Sequence, residues 1–251
     1  MTRPPERADT DLVFARVEEA LAAGGCPICR IGDESAARFL WGYLYERVND
    51  PASRRELIDS RGFCARHAWA LVPLRDTMGV AILYRHLLQD LAAGIRRAAA
   101  SRPRRARSSL RLRAALRPSG ECPACLHVRT MEDGALHALL PRIARAEVWE
   151  RLCGPSALCL PHFLRAVSLA DERTAARLID AELAALDDLG RHLDELIRKH
   201  DYRFSAEPIA PEEAASWMRA IELLVGAEGR TASSFRRAKT NPRSDRPGES
   251  S

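Results

Sequence analysis

One cysteine and histidine pattern occurs twice in this chain, and it limits the fold more than any other feature. Cys26-Pro27-Ile28-Cys29 is followed by Cys64-Ala65-Arg66-His67, and Cys122-Pro123-Ala124-Cys125 by Cys159-Leu160-Pro161-His162. The offset between copies is 122 − 26 = 96 at the first cysteine and 159 − 64 = 95 at the third, which marks an internal duplication. Six of the seven cysteines belong to it. A Cys-x-x-Cys joined to a Cys-x-x-His offers three thiolates and one imidazole, the donors of a closed tetrahedral zinc site. The fold must therefore gather eight side chains into two metal-type sites.

The spacing says how each ligand pair is presented. Two cysteines separated by two residues converge on one ion when the backbone turns tightly, and the proline after the first restricts φ there. Each CPxC is expected just before a helix. Each Cys-x-x-His is expected to begin one, with its two ligands three residues apart on one face. Free N–H groups at helix N-termini favour thiolate. The pairs are separated by 64 − 29 − 1 = 34 residues in the first copy and 159 − 125 − 1 = 33 in the second. The expectation is an out-and-back helical excursion that a metal closes at its base. Spacing alone leaves open whether a site is completed within one repeat or by exchange between repeats.

Two zinc ions in structural roles are the leading cofactor reading, on Cys26, Cys29, Cys64 and His67 and on Cys122, Cys125, Cys159 and His162. An iron–sulfur cluster on the same residues is the alternative, disfavoured because cluster ligands are usually all cysteine. A full set of four ligands leaves no open position for a catalytic water, and a disulfide-exchange CPxC would want a βαβ context that is absent from the pattern. Cys153 aligns with Ile58 and reads as a small buried hydrophobe. His127 has Ile31 as its counterpart and is discounted. His86, His137 and His192 fall within helices as surface or packing residues, and no histidine directly follows a CPxC, which excludes c-type haem attachment.

With 251 residues, 46% of them hydrophobic, the chain can bury one or two ordinary cores. No stretch approaches the roughly 20 apolar residues of a membrane helix, and the first ten residues are polar and hold Asp and Glu, unlike a secretory signal. A cytoplasmic location is expected, where clustered cysteines are metal ligands or redox centres more often than disulfides. Lys199 and Lys239 are the only lysines among 39 basic residues. That arginine bias suggests a bacterial genome of high GC content and weakens any functional reading of arginine runs.

The dominant period is helical and no convincing period-2 strand appears, so the expected class is all-α: two tandem helical repeats, each closed by a Cys3His site, plus a short C-terminal helix. Helices are expected from 33 or 35 to 48, over 52–58 and over 64–74, then from a cap at Asp76 along Val80, Leu83, Leu87, Leu91 and Ile95. The second copy repeats the plan over 126–140, 143–152 and 158–169. Its long helix, 172–199, carries Ile179, Leu183, Leu186, Leu193 and Ile197 at coiled-coil-like spacing. A last helix starts at Pro211 and stops at Gly226, with Trp217, Ile221, Leu224 and Val225 as its docking face. The expected organisation is a first repeat over 11–99, a basic linker over 100–119, a second repeat over 120–203, a docking helix over 204–227 and a disordered tail over 228–251. His200 to Phe204 reads as a helix C-cap.

Nine arginines over 96–119, a net charge of +5 and a pI near 9.0 invite a nucleic-acid partner. No reading motif accompanies them, so a solvated basic linker is favoured and nucleic acid kept as a lesser possibility.

The paired CPxC and CxxH signatures, with Lys199-His200-Asp201-Tyr202-Arg203-Phe204 and a helix from Ser216-Trp217 to Gly226, resemble an uncharacterised bacterial family known only as a domain of unknown function. The resemblance spans residues 11–226. Some members carry an automatic label as ABC-transporter substrate-binding proteins. This chain shows no signal peptide, lipoprotein cysteine or α/β alternation, so the label is not adopted. The resemblance implies the same eight ligands and brings no activity. Every repeated polar residue is a metal-type ligand, and no repeated acid, base or nucleophile remains for chemistry. The expected role is non-catalytic, in interaction or regulation with an unknown protein partner. A redox or sensor protein is the alternative.

Overall fold

The computed structural model describes residues 7–100, 105–204 and 206–227; the expected tail over 228–251 lies outside them. The described residues are helical and hold no strand. Eleven α-helices occur among them: α1 (Arg7–Ala22), α2 (Pro27–Gly42), α3 (Pro51–Asp59), α4 (Ala65–Trp69), α5 (Thr77–Ala100), α6 (Arg105–Leu116), α7 (Pro123–Leu139), α8 (Ala146–Leu152), α9 (Leu160–Leu169), α10 (Glu172–Lys199) and α11 (Pro211–Val225).

Aspartate fixes several of the starts. The N–H of Ser53 donates to Asp50, that of Gly79 to Asp76 and that of Thr174 to Asp171, each at 2.8 Å, satisfying amides that the first helical turn leaves unpaired. Proline at the first helical position opens α2, α3, α7 and α11, where its missing N–H costs nothing. α2 and α7 therefore begin directly after Cys26 and Cys122, so that Cys29 and Cys125 lie inside the first turn rather than ahead of the helix. α2 passes into a π-helical turn at Tyr43–Arg47.

The chain divides into two compact units, and their limits do not follow the repeats. One unit takes the described residues up to Gly32 together with those from Thr130 onward; the other is Asp33–Arg129. The divisions fall within α2 and α7. Each unit has its own core. In the first, Phe14, Val17 and Leu21 of α1 pack with Leu136 and Leu139 of α7, Leu152 of α8 and Leu178 of α10. In the second, Leu40, Tyr43, Leu57, Phe63, Leu71 and Leu83 form the centre. The Tyr43 hydroxyl donates to the Ser53 carbonyl at 2.6 Å, and burial raises its pKa to about 12.

Four expectations change at this level. α1, which the periodicity reading left unassigned, supplies part of a core. The segment read as a basic linker contains α6, packed on α5, because arginine, alanine and leucine are good helix formers and need no core to favour a helix. α10 buries Leu178, Ala181, Glu182, Ala185 and Leu189, whereas Ile179, Leu183, Leu186 and Ile197 of the coiled-coil-like stripe are 45%, 54%, 43% and 70% exposed. Ala181 and Ala185 let neighbouring helices approach closely between Leu178 and Leu189, and the aliphatic residues of the coiled-coil-like stripe face out. α11 likewise turns Glu213 and Ser216 inward while Trp217, Ile221, Leu224 and Val225 stay exposed. Lys199 Nζ, near the end of α10, donates to Glu213 Oε1 at 2.7 Å, and the Ala210 N–H donates to Glu213 Oε2 at 2.8 Å, so polar contacts decide which face docks. His200 does cap α10, with its Nδ1 2.8 Å from the Leu196 carbonyl.

Glu182 is buried and pairs with no cation among the described residues, and burial raises its pKa from 4.5 to about 7. A carboxyl whose folded pKa lies above its unfolded value takes up its proton more readily in the folded state, so folding loses stability as pH rises from about 4.5 to about 7. Glu182→Gln is expected to stabilise the protein by about 1 to 3 kcal/mol above pH 7. The gain should shrink as pH falls toward 5. Paired urea melts across that range check it; a gain independent of pH would show that the carboxyl is not the source.

Candidate metal centres

The eight expected ligands form two groups, and the groups cross the repeats. Cys26, Cys29, Cys159 and His162 come together in the first unit and Cys64, His67, Cys122 and Cys125 in the second; within each, the donor atoms all lie within 4.8 Å of one another. The CPxC of one repeat thus meets the CxxH of the other, and the picture of an excursion closed at its own base is replaced.

Backbone hydrogen bonds beside the ligands set this pairing. The Gly25 N–H, just ahead of Cys26, donates to the Pro155 carbonyl at 2.8 Å, in the loop leading to Cys159. The Ser156 hydroxyl donates to the Leu21 carbonyl at 2.6 Å in the same region. In the other unit, the Ser119 and Gly120 N–H groups, just ahead of Cys122, donate to the Asp59 carbonyl at 2.8 and 3.0 Å. Gly24 and Gly25 have φ of +75° and +71°, a conformation that glycine adopts without strain.

In the first centre, His162 Nδ1 lies 3.1 Å from Cys159 Sγ, 3.4 Å from Cys29 Sγ and 3.5 Å from Cys26 Sγ. The sulfurs of Cys29 and Cys159 are 3.5 Å apart. In the second, His67 Nδ1 lies 3.3 Å from Cys64, 3.4 Å from Cys125 and 3.7 Å from Cys122, and Cys64 is 3.6 Å from Cys125. All of these cysteines are free thiols. A tetrahedron of zinc–sulfur and zinc–nitrogen bonds has edges of about 3.8 Å between sulfurs and about 3.6 Å between sulfur and nitrogen. The sulfur–nitrogen distances of 3.1 to 3.7 Å and the sulfur–sulfur distances of 3.5 and 3.6 Å lie close to these edges, and both groups could hold one metal ion. Cys64 and Cys159 are the N-caps of α4 and α9, and His67 and His162 stand one turn on.

The two surroundings differ. At His162, Nε2 lies 3.4 Å from Glu132 Oε1. Glu132 Oε2 is 3.6 Å from Arg165 Nη1, and Arg165 Nη2 is 2.6 Å from Asp133. Burial opposes a proton on His162, yet hydrogen bonds with Cys159, Cys26, Cys29 and Glu132 together outweigh it and raise the pKa. His67 forms no ion pair among the described residues; burial, then Arg66, lowers its pKa to about 4. Crowding of the second centre shows at Cys125, where burial first, then Cys122 and Cys64, raise the thiol to about 12. A divalent cation reverses that preference, since a coordinated thiol is deprotonated outright.

Gly226, which ends α11, closes the first centre from outside. A Cβ there would stand 3.4 Å from Cys29 Sγ and 3.7 Å from Cys159 Sγ. Neither Gly226 nor Glu132 was singled out by sequence as part of a site. Glu132 has no counterpart in the other copy, so a search for repeated residues passes over it. Cys153 joins neither group and packs beside the first core. His127 stacks on Phe39 with ring centroids 4.7 Å apart.

A profile of the family of unknown function DUF6062 matches residues 10–230. The chain belongs to that family. An uncharacterised 23.9 kDa protein in the xynA 3′ region of Caldicellulosiruptor sp. (strain Rt8B.4) is 22% identical over 205 residues, covering 81% of this chain and 96% of the relative. No solved structure matches. The DUF6062 match runs through all eight ligands and Gly226, so both centres lie within the family's extent. Among the described residues no helix is long and apolar enough to cross a membrane.

Proposed function

We propose that the chain is a non-catalytic helical scaffold in which each core is closed by one zinc ion and whose role is to bind another protein. The observation that carries the reading is the completeness of both donor groups: three sulfurs and one imidazole nitrogen within 4.8 Å of one another in each. Such a site has no open position for water or substrate. The residues that would hold the ions are Cys26, Cys29, Cys159 and His162, and Cys64, His67, Cys122 and Cys125. Bound there, zinc supplies folding energy and no chemistry. Free cysteines throughout fit a reducing compartment, in keeping with a cytoplasmic location.

The single-ion dimensions favour zinc over an iron–sulfur cluster, which interposes several iron and sulfide atoms between its ligands. The stripe on α10 supports an interaction role. Ile179, Leu183 and Leu186 are exposed beside Asp180, Asp187 and Asp194; the three aspartates recur every seven residues and make no ion pair among the described residues. That pattern suits a partner helix with a basic flank.

Elemental analysis of protein purified anaerobically without added metal, with an absorption spectrum of the same sample, tests the reading. The expected result is about two zinc per chain and no visible absorbance, as two closed sites require. Iron with sulfide and a broad visible band would turn the reading to a redox or sensing protein. Absence of any metal would overturn the scaffold.

A further inference from the structure

The duplication allows each centre to be compared with its counterpart, position by position. Glu132 follows Cys125 by seven residues on α7; seven residues after Cys29 on α2 stands Ala36. Asp133 is matched in the same way by Ala37, and Arg165, three residues after His162, by Ala70, three after His67. The three alanines are buried, at 2%, 1% and 2% exposure. One repeat therefore carries a carboxylate, a second carboxylate and a guanidinium around its histidine, and the other carries three methyl groups at the matching positions.

The consequence concerns the ring nitrogen that faces away from the sulfurs. At His162, Nε2 points to Glu132 Oε1 at 3.4 Å, and Arg165 holds that carboxylate from its other oxygen. A carboxylate accepting the Nε2–H fixes the tautomer that leaves Nδ1 free to ligate, locks the ring plane and makes Nδ1 a better donor. Arg165 in turn is anchored on Asp133. At His67 the geometry toward the thiols is similar, with Nδ1 3.3 to 3.7 Å from the three sulfurs, but among the described residues no carboxylate pairs with the ring.

We propose that the two centres hold their ions unequally, with Glu132 as the positioning residue that makes the His162 centre the tight one and the His67 centre the exchangeable one. This rests on both centres being metal sites. Loss of an outer carboxylate from a ligating histidine typically weakens metal binding by about 10- to 100-fold, and of the groups that distinguish the two centres Glu132 is the one that meets the ring itself. At limiting zinc the first unit is filled while the second is only partly filled, so the state of the second unit follows zinc availability.

The test is stepwise removal of zinc from the fully loaded chain by a chromophoric chelator, with release followed by absorbance. The wild type should lose one equivalent at about 10- to 100-fold lower chelator than the other. In Cys64→Ser only the late step should remain, and in Cys159→Ser only the early one. Glu132→Leu should move the late step onto the early one and leave the early one in place, while Glu132→Gln, whose amide oxygen still accepts the Nε2–H, should recover part of the difference. Nitrogen-15 chemical shifts should show the His162 Nε2–H hydrogen bond lost in Glu132→Leu and kept in Glu132→Gln, a readout that a merely structural role would not move. Release of both ions in one step, an early step that belongs to His162, or a Glu132→Leu variant that shifts both steps alike would overturn the inference while leaving two zinc sites standing. A chain that binds zinc at neither centre would overturn both this inference and the scaffold reading.

Discussion

Cys26→Ser and Cys159→Ser should be equivalent, and combining them should cost almost nothing beyond either alone. Both remove a ligand from the same centre although they lie in different repeats. Each single variant is expected to lower the zinc count from two to one and to unfold the first unit. Apparent binding energies of about 10 to 16 kcal/mol for structural zinc in small peptides at pH 7 are as large as the about 5 to 15 kcal/mol that holds a domain folded. Cys26→Ser with Cys64→Ser, two changes within one repeat, should instead abolish both ions. Zinc counts and melting curves of the four proteins separate crossed from uncrossed pairing. If the ions were held within repeats, Cys26 with Cys64 would be the silent combination and Cys26 with Cys159 the one that empties both sites. Cys153→Ser, outside both centres, should leave two ions and a near-unchanged melt.

Gly226→Ala should be the most damaging single methyl group added near either centre. Gly226 has φ 85° and ψ 165°, a region open essentially to glycine alone, where another residue costs about 1 to 3 kcal/mol. The added Cβ would also stand against Cys29 and Cys159. The expected result is a loss of about 1 to 3 kcal/mol in denaturant melts with a fall in zinc affinity confined to the first centre. A control at Gly190, where a Cβ meets nothing within 4 Å, should be neutral or slightly stabilising, because alanine suits a helix interior better than glycine. Loss of stability with zinc affinity unchanged at both centres would show that Gly226 ends a helix and does nothing for the ligands.

The eight cysteines and histidines that gather into two groups were legible in the sequence because they are the polar residues that recur, and the all-α class followed from the 3.6-residue period. Their crossed pairing was not legible, since 34 and 33 intervening residues are compatible with either arrangement. What decides it is a set of backbone contacts, such as Gly25 to Pro155 and Gly120 to Asp59, which leave no mark in residue type beyond the glycines themselves. The buried face of α10 was misjudged for a related reason. Counting large aliphatic residues selects Leu183 and Leu186, while the packed face uses Ala181 and Ala185, whose small size is what permits close approach. α11 was misjudged because an ion pair, Lys199 with Glu213, outweighed its apolar residues in choosing the inner face. Glu132 was hidden by the duplication that revealed the ligands, as it is one of the places where the copies disagree.

Crossed pairing also sets an order of events during synthesis, when the chain leaves the ribosome from its N-terminus. Everything the second unit needs for its centre has been made once Cys125 is out, with 122 − 67 − 1 = 54 residues between its two ligand pairs. Cys26 and Cys29 emerge earliest of all, yet they wait through 159 − 29 − 1 = 129 residues for Cys159. For that interval the oldest pair of thiols waits for its partners while the younger site is complete, so a nascent chain arrested once Arg129 has cleared the ribosome should carry one zinc and two alkylatable cysteines at its head.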